Sequence, residues 1–133
     1  VVPRVEREEF VNAGVVVFCE AFDYLEAEVA LDESRLCVLC PGADVTLVRR
    51  HLESFAQVCA GGARAGPVGA LSQRERWRWL TAPRSTILQT SAAHAGLCVH
   101  PADELVRLVN VLVRPLPGLQ APRRAAGGAS SSG

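Results

Sequence analysis

The strongest strand signal in the chain is Phe10 to Cys19, where Val11, Val15, Val16, Val17 and Phe18 form a near-continuous apolar, β-branched run. Hydrophobic residues at consecutive positions predict a strand covered on both faces. Tyr24 to Leu31 alternates instead, with Tyr24, Glu26 and Glu28 set against Leu25, Ala27, Val29 and Leu31. That is the pattern of a half-exposed strand pairing back on the first. Val1 to Val5 reads as the end of a further strand, with Pro3 acceptable only at an edge or a strand start. Glu6 to Glu9 reads as a polar reversal between them. A fourth short strand or turn is expected through Arg35 to Cys40, ended by Pro41-Gly42.

Helical spacing begins after Asp44. Val48, Leu52, Phe55, Ala56 and Cys59 recur on one helical face, Asp44 is a capping residue, and Gly61-Gly62 closes the segment. Gly61 to Gly69 is expected to be a flexible connection. Ser72 with Glu75 three residues on is a capping box, which predicts a short helix from Ser72 to Leu80 carrying Trp77 and Trp79, the second of them exposed. Ser85 to Ser91 is expected to be a strand with polar groups on both faces. His100-Pro101 opens a third helix with Leu105, Leu108, Val109 and Leu112 on its apolar side. The order predicts an α+β fold, a small antiparallel sheet with about three helices packed on one side of it. Residues 1–114 form one expected domain, and the Pro/Gly/Ala/Ser-rich stretch 115–133 an expected disordered tail. The start in mid-pattern at Val1-Val2, with no methionine anywhere, reads as a truncated N-terminus whose first strand lacks residues.

Composition narrows the function classes. With 133 residues, 49% hydrophobic, and a net charge of +0, the chain is neither a disordered nor a nucleic-acid-coating protein, so no nucleic-acid partner is expected. No stretch approaches the roughly 20 apolar residues of a membrane helix, so no membrane partner is expected either. All 14 basic residues are arginine, which fits codon bias in a GC-rich genome better than selection for guanidinium groups. Cys19, Cys37, Cys40, Cys59 and Cys98 are odd in number and mostly in apolar surroundings, which points to free thiols and a cytoplasmic location. Cys19 and Cys59 are expected to be buried and each more than disulfide distance from any other sulfur.

Candidate chemistry is sparse. Cys37-Val38-Leu39-Cys40 has metal-ligand spacing but no second pair, and His51, His94 and His100 are scattered. On a strand its two thiols would point to opposite faces. No Gly-x-Ser-x-Gly elbow surrounds a serine, and Gly61 to Gly66 lacks the lysine of a phosphate loop. No metal and no cofactor is expected. Arg74, Arg76 and Arg78 alternate with Glu75, Trp77 and Trp79 and read as a solvated helix with one tryptophan in the core.

Two segments stand out. In Arg7-Glu8-Glu9-Phe10-Val11-Asn12-Ala13-Gly14, an asparagine and a glycine interrupt an apolar run, which suggests a bulge or a close approach. In Leu80 to Gly96, Arg84, Ser85, Gln89, Ser91 and His94 cluster around Ile87-Leu88. Buried polar groups cost about 1–3 kcal/mol each when unpaired, so the cluster is either an internal network or a ligand site. The candidate site comprises Arg7, Glu9, Asn12, Arg84, Ser85, Gln89, Ser91 and His94. In the ligand reading Arg7 and Arg84 clamp an anion, Asn12, Gln89 and Ser91 orient the ligand, and Glu9 or His94 serves as acid or base.

The stretches P-R-V-E-R-E-E-F-V-N-A-G-V and R-W-R-W-L-T-A-P-R-S-T-I-L-Q-T-S-A-A-H-A-G-L-C resemble an uncharacterised bacterial family, domain of unknown function 3037, from Val1 to about Val113. The matching positions are Arg7, Glu9, Phe10, Asn12 and Gly14, then Arg76, Pro83, Arg84, Ser85, Gln89, Ser91, His94 and Gly96. The chain departs from the pattern in its late start and in Trp77, where a smaller aromatic is usual. The resemblance implies a small cytoplasmic protein encoded near a HipA-like kinase, with no established activity. Two readings follow: a non-enzymatic accessory protein whose partner is a HipA-like kinase, bound through a strand edge or helix face, or a small-molecule or anion-binding enzyme-like domain.

Overall fold

The computed structural model describes residues 1–2, 10–83 and 88–114. The strand end and reversal expected at 3–9, the first part of the polar strand at 84–87, and the tail expected at 115–133 lie outside the described residues.

The fold is α+β. Strands β1 (Gly14–Cys19) and β2 (Tyr24–Val29) pair antiparallel, Gly14 opposite Val29 and Cys19 opposite Tyr24, around the 3-10 turn Glu20–Phe22. Asp23 closes that turn in the left-handed region, φ 50°, which aspartate tolerates better than most residues. β1 is shorter than the run that predicted it. Phe10 to Ala13 leads into the strand without belonging to it, although Ala30 N–H still donates to the Ala13 carbonyl at 2.8 Å. Val1 and Val11 exchange both backbone hydrogen bonds, at 2.7 and 2.8 Å. Gly14 marks the expected close approach, because a Cβ there would lie 2.7 Å from the Glu28 carbonyl oxygen.

Side chains alternate across the ribbon, and both faces are covered. Val15, Val17, Tyr24 and Ala30 pack against Leu105, Val109 and Val113 of helix α4 (Pro101–Leu112) and its cap. Val16, Phe18, Leu25 and Ala27 pack on the other face with Val58, Cys59, Trp77 and Leu80. These belong to helices α2 (Val45–Ala60) and α3 (Gln73–Thr81). The expectation of helices on one side is therefore corrected. Consecutive valines leave β1 no polar face for water, so a layer is needed on each side.

Arg35 to Cys40 is helical, not a strand or turn. Helix α1 (Glu33–Leu39) starts where Asp32 Oδ1 accepts from the Arg35 N–H at 3.1 Å, and Leu36 is fully buried. Seven residues are too few to show a clear helical period, and the cap went unread. Cys37 consequently stands exposed on α1 and Cys40 is its C-cap. α2 is capped as expected, Asp44 Oδ1 accepting from Leu47 N–H at 3.0 Å. Its continuation has regular structure: Ala63–Ala70 forms 3-10 turns either side of a kink at Gly66, φ 66°, and Gly62 N–H donates to the Gly69 carbonyl at 3.1 Å. α3 carries the complete capping box, with Ser72 N–H donating to Glu75 Oε2 at 2.9 Å and Glu75 N–H to Ser72 Oγ at 3.2 Å. Residues 88–91, the described part of the expected polar strand, have no regular secondary structure.

The third core cluster joins Val1, Ala13, Leu36, Val48, Leu52 and Leu88, where the chain entering β1 meets α1, α2 and the segment after α3. Among the described residues no helix is long and apolar enough to cross a membrane.

Candidate functional site

A cleft of about 650 Å³ opens where the two helical layers approach the ribbon. Its lining includes Val16 and Trp77 from one layer, Val15, Leu108 and Leu112 from the other, and Phe10 to Gly14. Leu88 to His94 forms a further part of the boundary. Of the expected site residues, Asn12, Gln89, Ser91 and His94 all line this cleft. Arg7, Glu9, Arg84 and Ser85 lie outside the described residues.

The polar groups are held by the chain itself. Asn12 Nδ2 donates to the Leu112 carbonyl at 3.0 Å, satisfying one of the carbonyls that the end of α4 leaves open. This is the local backbone pairing that an asparagine in an apolar run requires, and it crosses from the entry to β1 to the last turn of the last helix. Thr90 Oγ1 donates to the Leu80 carbonyl at 3.4 Å, which holds the 88–91 segment against the end of α3. Ser91 Oγ donates to the Ala92 carbonyl at 3.4 Å. Among the described residues, His94 and Glu28 are the side chains of the lining that can ionise, and Glu28 accepts from Arg114 Nη2 at 3.2 Å.

The larger part of the lining is apolar and wet. Phe10 is 65% exposed and Leu112 53%, while Leu88 and Leu80 behind them are buried. Phe10 and Leu112 are too large to be left in water without consequence, since burying such a side chain is worth about 1.5–3 kcal/mol.

Arg76 went unrecognised as a structural cation. It does not lie on a solvated face: its guanidinium donates from Nη1 to the carbonyls of Val58 (2.9 Å) and Cys59 (2.5 Å) and from Nε to Leu71 (3.2 Å). The sequence signal was the one arginine of its triplet that falls on the family pattern. Arg74 pairs with Glu20 instead. Trp77 is the cleft tryptophan, stacked on Phe18 with centroids 5.5 Å apart and planes 24° apart. Trp79, expected as the exposed one, is 38% exposed and tilts against Phe55 at 6.5 Å.

The thiols divide differently from expectation. Cys59 is buried, and burial pushes its thiol up to about 11. Cys19 is half-buried where burial was expected, and it is a free thiol; desolvation first, and then the neighbouring Cys19 thiol, push the Cys98 thiol up. The segment that precedes α4 thus meets the end of β1. Tyr24 is raised to about 12, by desolvation first and then by its hydrogen bond to Glu26.

No curated protein and no solved structure matches the chain. A family model described as "Protein of unknown function (DUF3037)" matches residues 1–113, and the chain belongs to that family.

Proposed function

We propose that this chain is a binding protein whose cleft docks part of another polypeptide. The observation that carries the reading is the wet apolar lining: Phe10 and Leu112 stand more than half exposed beside a stacked tryptophan, in a cleft whose helical walls are already fixed by their own cores. Exposed apolar side chains that line a concavity, here Phe10, Val29 and Leu112, are placed to contact a partner. Trp77 supplies the rigid aromatic anchor typical of interface centres. The first partner to test is the HipA-like kinase that the family resemblance places beside such genes. Co-expression of the two proteins followed by size exclusion is expected to give one co-eluting peak, lost in Phe10→Ser/Leu112→Ser. Two separate peaks at micromolar concentration would overturn the kinase pairing.

A second reading, a small-molecule or anion site, is favoured by one observation: Asn12, Gln89, Ser91 and His94 line one cleft, whose volume falls in the range of ligand pockets. Here Arg84, following Pro83 at the end of α3, supplies the anion clamp. Arg84→Ala separates the readings when folding and binding are measured together. In the docking reading, loss of Arg84 leaves partner binding within about threefold at equal stability. In the anion reading it abolishes ligand binding.

A further inference from the structure

We propose that Cys19 and Cys98 form a paired oxidation site, at which a hydroperoxide converts two free thiols into a disulfide tying the approach to α4 onto the end of β1. The path of α4 brings the two residues together. Asn12, just before β1, bonds to the Leu112 carbonyl, and Arg114 pairs with Glu28, the residue opposite Val15. The last turn of α4 therefore lies at the Gly14 end of the strand. Leu105, Val109 and Val113 then run as a row over Val15, Val17 and Tyr24. A helix of 12 residues and a strand of six both span roughly 18–20 Å. The first turn of α4, with the residues leading into it, accordingly lies at the Cys19 end.

Both side chains turn toward that junction. On β1, Val15 and Val17 face the α4 layer, and Cys19 follows at the same parity. From Ser91 to His100 every residue is exposed except Cys98, which is half-buried between Leu97 and Val99, both standing out in water. A segment that leaves leucine and valine in solvent and turns a thiol inward makes its contact through the thiol. The sulfurs also sense each other, since after desolvation it is the Cys19 thiol that pushes Cys98 up. The remaining thiols stand elsewhere. Cys59 packs under the opposite face of the ribbon with Phe18 and Leu25. Cys37 and Cys40 belong to α1 and its cap, whose Leu36 packs with Ala13 at the far end of the strand.

The chemistry balances with the peroxide as the added oxidant. One thiolate attacks the outer peroxide oxygen, the O–O bond breaks, and an alcohol or water leaves with a proton. The second thiol attacks the sulfenic acid so formed, the S–O bond breaks, and water leaves. Two electrons pass from the sulfur pair to the peroxide, and both thiol protons end on its oxygens. Residues 88–99 form neither helix nor strand, so the segment can take up the backbone shift that disulfide geometry demands. Its first part, Leu88 to His94, lines the cleft, and the bond therefore clamps a wall of the cleft at its outer end.

The test treats the whole chain with hydrogen peroxide, blocks the remaining thiols with N-ethylmaleimide, and maps the non-reduced peptides by mass spectrometry. The chain has no methionine, so its cysteines are its only sulfur. Cleavage at arginine puts Cys19, the Cys37–Cys40 pair, Cys59 and Cys98 on four separate peptides. The expected product is a monomer in which the Cys19 and Cys98 peptides are linked, reversed by dithiothreitol and absent from Cys19→Ser and Cys98→Ser. In the folded protein this link should exceed any from Cys19 or Cys98 to another cysteine by about tenfold or more, a preference lost in concentrated guanidinium. In Cys37→Ser/Cys40→Ser, which lacks the competing thiols, oxidation should raise the melting midpoint by about 5 °C or more, because the link closes a long loop of the unfolded chain. Cys19 and Cys98 recovered as separate alkylated or sulfinic forms would overturn the inference. So would equal yields of the link in folded and denatured protein, or a lowered midpoint, which would mean that the bond forms only by distorting the fold.

Discussion

The guanidinium of Arg76 donates to the carbonyl oxygen of Cys59 at 2.5 Å, so a side chain from the middle of α3 caps the C-terminal turn of α2. The same nitrogen serves Val58, and Nε serves Leu71, which makes Arg76 the point where α2, the 3-10 segment and α3 are fastened together. The site is tight: a Cβ on Gly61, which sits at φ 73°, would come within 3.0 Å of this guanidinium. Arg76→Ala leaves these carbonyls without their cation and is expected to cost about 2 kcal/mol, the scale of a charge-assisted hydrogen bond. Arg76→Lys should recover less than half of that, because an ammonium cannot reproduce the planar fork. Chemical denaturation of the two variants checks this, and a wild-type midpoint in Arg76→Ala would disprove it.

Asn12→Ala removes the bond to Leu112 and is expected to cost about 1 kcal/mol. Asn12→Asp should be worse near neutral pH, since it faces a carboxylate toward a carbonyl at the negative end of a helix. The difference between the two variants should vanish at low pH, where the introduced carboxyl is protonated and can donate. Urea melts at about pH 7 and about pH 3.5, either side of the ordinary aspartate range, provide the comparison.

The two tryptophans are expected to separate. Trp77→Ala opens the stack on Phe18 and should cost about 3 kcal/mol, against about 1 kcal/mol for the more exposed Trp79→Ala. Equal losses would contradict the packing described for α3.

Hydrogen bonds from the Ser72 backbone and hydroxyl hold the Glu75 carboxyl below its ordinary value of 4.5. A carboxyl lowered in the folded state contributes stability that is present above its unfolded value and lost as the pH falls through the folded one. The first turn of α3 is therefore expected to fray as the pH drops below about 4.5, read from amide exchange at Gln73 to Arg76. Glu75→Gln should flatten that dependence.

Alkylation should rank the thiols by exposure and thiolate access. Exposed Cys37 reacts first, and Cys59, buried and raised to about 11, reacts last and only on unfolding. Cys98 is raised by desolvation and by the Cys19 thiol, so it should react slower than Cys37, as should half-buried Cys19 on access alone. Mass spectrometry of timed iodoacetamide reactions reads the order directly.

Where one strong local signal decided an element, the sequence was readable. Asp44 with its apolar spacing, the Ser72–Glu75 box and Pro101 at a first helical position each named a helix whose ends agree within about two residues. The antiparallel pairing of β1 with β2 followed from the alternation of Tyr24 to Leu31, the pattern of a half-exposed strand returning on the apolar run before it. α1 was missed because its seven residues show one buried position, Leu36, and no period. The two-sided layering was missed although the valines of β1 implied it. In the cleft, Asn12, Gln89, Ser91 and His94 were found by their polarity alone. Trp77, Leu108 and Leu112 were not, because apolar residues on helices look like core until the third dimension shows them open to water.

The alternation of Val15 and Val16 onto opposite layers has a consequence for errors in the chain. One side of the ribbon meets the aliphatic row of α4, the other the aromatic stack of Trp77 and Phe18. A deletion of one residue inside β1 exchanges these audiences, offering Phe18 to a surface shaped for valine and a valine to a surface shaped for a ring. Extra residues in the hairpin tip leave both matches untouched. The molecule thus proofreads the spacing of six consecutive residues far more strictly than it does the length of the loop that follows them.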